Sequence, residues 1–93
     1  MDFAQLPGKD VIDLACGSGY FTRMIRARVS EDHVVWGLDI SENMIKLGKK
    51  MSPFLNIKYM VQDCSVPFQL DKAFDAASCA YLFQHARNYD MLL

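Results

Sequence analysis

This 93-residue sequence has no marked excess of charge of either sign. Ten basic and eleven acidic residues are spread through the chain and give a net charge of −1, which leaves no basic stripe for a polyanion. It has no apolar run approaching the roughly 20 residues that span a bilayer, and no charged and then apolar signal region at its N-terminus. We therefore expect a cytoplasmic protein whose partner is a small molecule, with no nucleic acid and no membrane as partner.

Cysteine is also scarce. Cys16, Cys64 and Cys79 are an odd number at wide spacings, which resembles neither a disulfide framework nor a zinc-binding pattern. All three follow predicted strands and could approach one another, but no fourth ligand for zinc is evident. The sequence therefore predicts reduced thiols and no metal site.

Strand and helix patterns alternate along the chain. The apolar run around 11–14, bounded by Pro7-Gly8 and a glycine turn at 17–19, predicts a buried strand. A helix follows, with its apolar residues at helical spacing and its arginines largely off that stripe. The apolar residues are Phe21, Met24, Ile25 and Val29, and the arginines are Arg23, Arg26 and Arg28.

The strand–helix unit then repeats. "HVVWGLDI" predicts a second strand, and Ser41 is a suitable N-cap for a second helix. The apolar face predicted for that helix consists of Met44, Leu47, Gly48 and Met51. "IKYMVQD" predicts a third strand, residues 74–80 a fourth, and a last helix begins at Tyr89.

This alternation predicts one α/β domain over residues 1–93, with a Rossmann-like, doubly wound parallel sheet of about four strands. Such a sheet binds ligands at the carboxyl ends of its strands. Asp13, Asp39 and Asp63 lie at the ends of the first three predicted strands, and hence at that edge. His33 begins a strand at the opposite end, where we expect a structural role.

The glycine turn after the first strand would let a ligand approach the backbone closely. Thr22 stands where the NAD fingerprint has its third glycine, and no Gly-Lys-Ser/Thr ending of a P-loop is present. At an effective dielectric near 20, a carboxylate about 4 Å from a unit charge feels roughly 4 kcal/mol, so Asp13 would repel a pyrophosphate and attract a cation. The turn therefore favours a nucleoside that carries a cationic group, although Asp13 could instead only orient the loop.

Two further acids extend this interpretation. Asp39 lies 20 residues after Gly19, where an acid commonly accepts hydrogen bonds from ribose hydroxyls; an N-cap role for the next helix is the alternative. Asp63 and Cys64 could bind an adenine edge, but an aspartate after a strand is also an ordinary turn residue.

Four motifs in order resemble the class I S-adenosylmethionine-dependent methyltransferases from Lys9 onward: "VIDLACGSGYFT", "VWGLDIS", "YMVQDC" and "FDAASCAYLFQH". The resemblance implies S-adenosylmethionine as the cofactor. The residues that it implies around the methionine portion are Asp13, Ala15, Cys16, Gly17, Ser18, Gly19, Cys79 and Ala80. Asp39 would hold the ribose, Ile40 would cover one adenine face, and Asp63 and Cys64 would meet the adenine edge. Tyr20 and Arg23 could reach the methionine carboxylate.

The chain departs from this family in length. Family members have a seven-stranded sheet, so we expect a cofactor-binding domain truncated after its fourth strand, whose uncovered edge could self-associate or bind a partner chain. His85 is the candidate general base for an acceptor that loses a proton, with a capping or solvent-exposed histidine as the alternative. The predicted function is a methyltransferase acting on a small molecule. A non-catalytic S-adenosylmethionine-binding module or partner subunit is the alternative, and an NAD-type oxidoreductase is less favoured.

Overall fold

A computed structural model describes residues 6–78 of the chain. The order of elements is β1 (Val11–Leu14), α1 (Tyr20–Arg26), β2 (Val35–Asp39), α2 (Glu42–Met51), β3 (Ile57–Val61) and β4 (Ala76–Ser78). The predicted roles of Cys79, Ala80 and His85 and the helix predicted from Tyr89 lie outside the described residues.

The described strands form one parallel sheet in the order β3-β2-β1-β4. β1 therefore lies between two neighbours, and the strand order reverses beside it. This confirms the predicted Rossmann-like α/β fold and places the carboxyl ends of β1, β2 and β3 along one edge.

Side chains alternate between the two faces of the sheet, as strand geometry requires. One face packs against the helix side in a core of Leu6, Val11, Ile25, Val29 and Val35. The other face packs Ile12, Leu14, Trp36, Leu38 and Cys64 against the turn-rich connection that leads to β4. Both faces of the central strands are thus buried, which accounts for their nearly continuous apolar sequences.

The second helix is turned differently from the sequence prediction. α2 buries Ile45 and Gly48, whereas Met44, Leu47 and Met51, expected on the buried face, are 36%, 39% and 52% exposed. Gly48 faces the sheet because the large Tyr59 ring stands opposite it and leaves no room for a side chain. Met44, Leu47 and Met51 therefore lie beside the buried face of the helix and not on it. Ser41 caps α2 as predicted, since its hydroxyl accepts a hydrogen bond from the Met44 amide at 3.2 Å.

The first helix also differs in one respect. Arg26, expected off the apolar stripe, is only 8% exposed. Its guanidinium donates to the carbonyls of His33 and Asn56 at 3.0 Å, of Val29 at 3.2 Å and of Ser30 at 2.7 Å. Four carbonyl acceptors satisfy the buried cation, so Arg26 joins the end of α1 to the segments that precede β2 and β3.

Candidate functional site

The turn between β1 and α1, called the glycine loop below, consists of Ala15–Gly19. Three of its residues have a left-handed backbone: φ is 56° at Ala15, 59° at Gly17 and 87° at Gly19. Glycine adopts this conformation freely, whereas alanine does so at a cost of about 1–2 kcal/mol. A Cβ added at Gly17 would meet nothing within 4 Å. The backbone of the loop is therefore open to a ligand at Gly17.

The loop is anchored to the end of β2. The Cys16 amide donates to the Leu38 carbonyl at 2.8 Å, and the Gly17 amide donates to the Asp39 carboxylate at 2.9 Å. The other oxygen of Asp39 accepts the Ser41 amide at 2.9 Å, and the side chain is 7% exposed. Asp39 therefore joins the loop to the start of α2, and each of its oxygens retains a lone pair for a further donor.

Asp13 lies beneath the loop, on the helix side of β1, and is 3% exposed. One oxygen accepts a hydrogen bond from the Thr22 hydroxyl at 2.6 Å. Burial raises the pKa of Asp13 to about 6, the hydroxyls of Thr22 and Ser78 offset part of this effect, and the charge of Asp39 adds to it. No cation pairs with Asp13 within residues 6–78. A buried carboxylate in this state would be stabilised by a positively charged ligand nearby.

The same environment disfavours the thiolate form of Cys16. Burial, followed by the charges of Asp13 and Asp39, raises the pKa of the Cys16 thiol to about 12. Burial also raises the pKa of Cys64, which is 4% exposed and packs in the apolar core. Both side chains therefore contribute shape and packing at this edge.

Large apolar side chains flank the loop in exposed positions. Tyr20, at the start of α1, is 72% exposed, and Ile40, directly after β2, is 65% exposed. Side chains of this size, placed around an open backbone loop and the end of a strand, could cover the flat face of a bound ring.

Asp63 follows β3 at the same edge. One of its oxygens, Oδ1, accepts both the hydroxyl of Ser65 at 2.6 Å and its amide at 2.9 Å, and these bonds lower the pKa of Asp63. In the described part of the chain, neither the other carboxylate oxygen nor the Cys64 amide takes part in a hydrogen bond. One acceptor and one donor are thus available side by side.

Three residues of this region were not predicted from the sequence as part of the site. Thr22, which in the sequence only argues against the NAD fingerprint, is fully buried and binds Asp13. Ser78 and Tyr59 lie in the same cross-strand row as Asp13 and Gly37, on neighbouring strands of the sheet. Only the register of the strands brings this row together, so a linear motif contains no sign of it.

We expected Arg23 to reach the methionine carboxylate, but in the structure it binds other residues of the protein. Its guanidinium donates to the Ser18 carbonyl at 2.9 Å and to the Ser52 hydroxyl at 3.4 Å, behind the loop. His33, for which we expected a structural role, lies at the opposite edge with its Nδ1 3.0 Å from Asp10. Within residues 6–78, the side chains grouped closely enough to share a metal are Asp10, His33 and Asp75, which also belong to that opposite edge.

Neither of the helices described has the length and apolar character needed to cross a membrane.

Comparisons with known proteins agree on one family. A family model described as a methyltransferase domain matches residues 11–92. A demethylmenaquinone methyltransferase from Bacillus mycoides is 30% identical over 91 residues, which are 94% of this chain and 38% of that protein. A ubiquinone biosynthesis O-methyltransferase from Coxiella burnetii is 33% identical over 82 residues, covering 86% of this chain and 34% of its own length.

A solved structure agrees as well. The crystal structure of an S-adenosylmethionine-dependent methyltransferase from Mesorhizobium loti has a TM-score of 0.70 and 29% sequence identity, over 81% of this chain and 34% of that one. The chain thus spans between a third and two fifths of the length of the relatives described here.

Proposed function

This chain belongs to the class I S-adenosylmethionine-dependent methyltransferases, and from that premise we propose that it binds S-adenosylmethionine at the glycine loop for methyl transfer to a small organic acceptor. The observation that carries the proposal is Asp13, a carboxylate buried beneath an open glycine loop with no cation beside it among residues 6–78. The sulfonium and ammonium of this cofactor would supply positive charge at that place.

The residues at this edge fit the cofactor in kind and in order. The backbone of Ala15–Gly19 and the exposed Tyr20 would hold the methionine portion. Asp39 would accept the ribose hydroxyls with its remaining lone pairs, and Ile40 would cover one face of the adenine. Asp63 and the Cys64 amide would meet the adenine edge, where one acceptor and one donor are available. Cys79 and Ala80 complete the proposed set on sequence grounds alone.

When bound, S-adenosylmethionine supplies the methyl group for an in-line displacement. This chain's own residues then contribute mainly by holding the cofactor in place, and placement supplies much of the rate in such a reaction. His85 stays a candidate general base on sequence grounds, for an acceptor with a proton to lose.

The relatives support a small acceptor, because one is named for demethylmenaquinone and the other for ubiquinone biosynthesis. A cytoplasmic location is part of the proposal, supported by the free thiols of Cys16 and Cys64.

Self-association through β4 is also part of the proposal, since that strand is at an edge of the described sheet. Size-exclusion chromatography of the chain over a range of concentrations would test the association.

Calorimetry with S-adenosylhomocysteine, S-adenosylmethionine and NAD tests the ligand directly. We expect both S-adenosyl compounds to bind and NAD to bind far more weakly or not at all. Tight binding of NAD without binding of S-adenosylhomocysteine would contradict the proposal.

Replacing Asp39 tests the ribose contact. Asp39→Ala should weaken S-adenosylhomocysteine binding by about 1.5–3 kcal/mol, the usual cost of losing a hydrogen bond to a charged group, or roughly 10- to 150-fold in affinity. The control is Ser41→Ala, because Asp39 also binds the Ser41 amide and could act through α2. Ser41→Ala should lower stability by about 1 kcal/mol through the lost cap and leave the affinity unchanged.

A further inference from the structure

Tyr59, on the helix side of β3, is a buried ring surrounded by three glycines from three different elements. A Cβ at Gly37 in β2 or at Gly48 in α2 would lie 3.1 Å from carbon atoms of the ring, and a Cβ at Gly19 would overlap its hydroxyl. Real Cβ atoms rarely come this close to a neighbour. The ring therefore occupies the space that side chains at these three positions would need, and it lies directly behind the glycine loop.

Hydrogen bonds connect the hydroxyl of Tyr59 to the glycine loop. Its oxygen lies 3.2 Å from the Ser52 hydroxyl, which in turn accepts a hydrogen bond from Arg23 at 3.4 Å. Arg23 also donates to the Ser18 carbonyl in the loop at 2.9 Å. Ser18 and Gly19 are thus supported from behind by Arg23 and by the Tyr59 ring, and Ser52 links the two.

The two halves of the glycine loop are held in different ways. Its first half is fixed by the hydrogen bonds of Cys16 to Leu38 and of Gly17 to Asp39, both at the end of β2. Apart from its link to α1, its second half has the Tyr59 ring and Arg23 behind it. The position of Ser18 and Gly19 therefore depends in part on the size of the residue at 59.

From these contacts we infer that Tyr59 is a positioning residue for the glycine loop and thereby sets the affinity for the methionine half of the cofactor. The inference rests on the function proposed above, in which that half of the ligand lies against the loop. Tyr59 is buried behind the loop and is expected to act only through Gly19 and Ser18, without touching the ligand.

Two variants separate the ring from its hydroxyl. Tyr59→Leu removes the ring and should reduce the affinity for S-adenosylhomocysteine by about tenfold or more, because small displacements of a binding loop have large effects. Tyr59→Phe loses the hydroxyl, with its contact to Ser52, but retains the ring, whose carbon atoms also lie against Gly19. Its affinity should therefore stay within about twofold of the wild type, a rescue by the conservative variant.

Trp36→Leu is the matched control. Trp36 is a buried aromatic residue on β2 that points to the opposite face of the sheet, where it packs edge-to-face on Phe74 with ring centroids 4.9 Å apart. Its loss should lower the melting temperature as the loss of Tyr59 does, without changing the affinity of the folded protein. Circular dichroism at the temperature of the calorimetry establishes that each variant is folded.

Adenosine distinguishes loop positioning from general loosening, because it lacks the methionine portion. Tyr59→Leu should weaken S-adenosylhomocysteine binding and leave adenosine binding near the wild-type value. Equal losses for both ligands, wild-type affinity for S-adenosylhomocysteine, or an equal loss in Trp36→Leu would each overturn the inference. A wild-type chain that binds no S-adenosylhomocysteine would instead overturn the proposed function.

Gly48→Ala serves if Tyr59→Leu does not fold. The added Cβ would press on the Tyr59 ring at 3.1 Å and on the Ser18 carbonyl at 3.3 Å, while alanine favours the helix. This variant should fold and bind S-adenosylhomocysteine more weakly, with adenosine binding retained. A folded Gly48→Ala protein with wild-type affinity would equally overturn the inference.

Discussion

β1 has an aspartate near each of its ends, and their surroundings are opposite. Asp10, before the strand, binds the Val34 amide at 2.9 Å, Lys72 at 3.0 Å and His33 at 3.0 Å, and these contacts, the Val34 amide first, lower the pKa of Asp10 to about 2. Asp13, within the strand, has hydroxyl partners and no cation among residues 6–78, and burial raises its pKa to about 6. One carboxylate stabilises the fold, whereas the burial of the other lowers the stability of the folded protein.

The same difference is found between the two edges of the sheet. At the amino ends of the strands, Asp10 has Lys72 and His33 as partners, and the guanidinium of Arg26 has four carbonyl acceptors. At the carboxyl ends, a buried acid, a strained Ala15 and exposed apolar side chains remain. Such unfavourable features collect at functional sites, where stability is lost in exchange for binding.

Of the changes at the two edges of the sheet, removal of Arg26 should have the largest effect on the free energy of unfolding. Arg26→Ala removes four charge-assisted hydrogen bonds and leaves the carbonyls without a donor, which should lower the free energy of unfolding by about 4 kcal/mol after water replaces part of the loss. Urea denaturation measures this change. The control Lys50→Ala removes an exposed cation from α2 and should change stability by less than about 0.5 kcal/mol; equal effects would contradict the role of Arg26.

Neutralising Asp13 should have the next largest effect, with the opposite sign. Its pKa is raised from 3.8 to about 6, so the folded protein binds the proton more tightly and loses stability as the pH rises through that interval. Asp13→Asn should therefore stabilise the ligand-free protein at pH 8 by roughly 2–3 kcal/mol relative to wild type, with much less gain at pH 4. It should also weaken S-adenosylhomocysteine binding.

Urea denaturation at several pH values measures the difference between Asp13→Asn and wild type, which isolates this one group. Asp32→Asn makes the same substitution at an exposed acid and is the matched control, which should change stability by less than about 0.5 kcal/mol. A stability change in Asp13→Asn with no pH dependence would show that the buried carboxyl is not the cause.

Asp10 should show the reverse dependence on pH. Its pKa is lowered, so its contribution to stability is present above about 3.8 and is lost as the pH falls toward about 2. Asp10→Asn should destabilise the protein at neutral pH, and the difference from wild type should shrink in acid. Urea denaturation at several pH values measures this difference in stability. An Asp10→Asn protein that is more stable than wild type at pH 7 would show that Asp10 does not differ from Asp13 in its effect on stability.

The smallest effect is expected at Ala15. Ala15→Gly relieves the left-handed backbone at φ 56°, offset in part by the greater freedom of glycine in the unfolded chain, and should stabilise the protein by about 0.5 kcal/mol. Ala27→Gly, at an ordinary φ of −67°, should instead destabilise it by up to about 1 kcal/mol. Thermal melts of the two variants that shift in the same direction would contradict the strain assigned to Ala15.

Patterns close together in the sequence predicted much of this molecule. The strands, the cap at Ser41 and the aspartates at the strand ends depend on local periodicity and turn residues, and the structure contains them. The orientation of α2 was predicted wrongly, because the space opposite Gly48 is decided by Tyr59 in the next strand. Burial of Arg26 was missed for a similar reason, since its acceptors are backbone carbonyls that no side-chain pattern reveals.

The order β3-β2-β1-β4 also has a consequence for how the protein is made. The β1–β4 pairing joins distant parts of the chain, as the hydrogen bond from Asp10 to Asp75 shows with its separation of 65 residues. At about 5–20 residues per second, a ribosome would need roughly 3–13 s to add that length. During this time one edge of β1 has no partner, and Asp13 has yet to meet Ser78. We therefore expect the surroundings of Asp13 to be completed only after β4 has been made and has paired with β1.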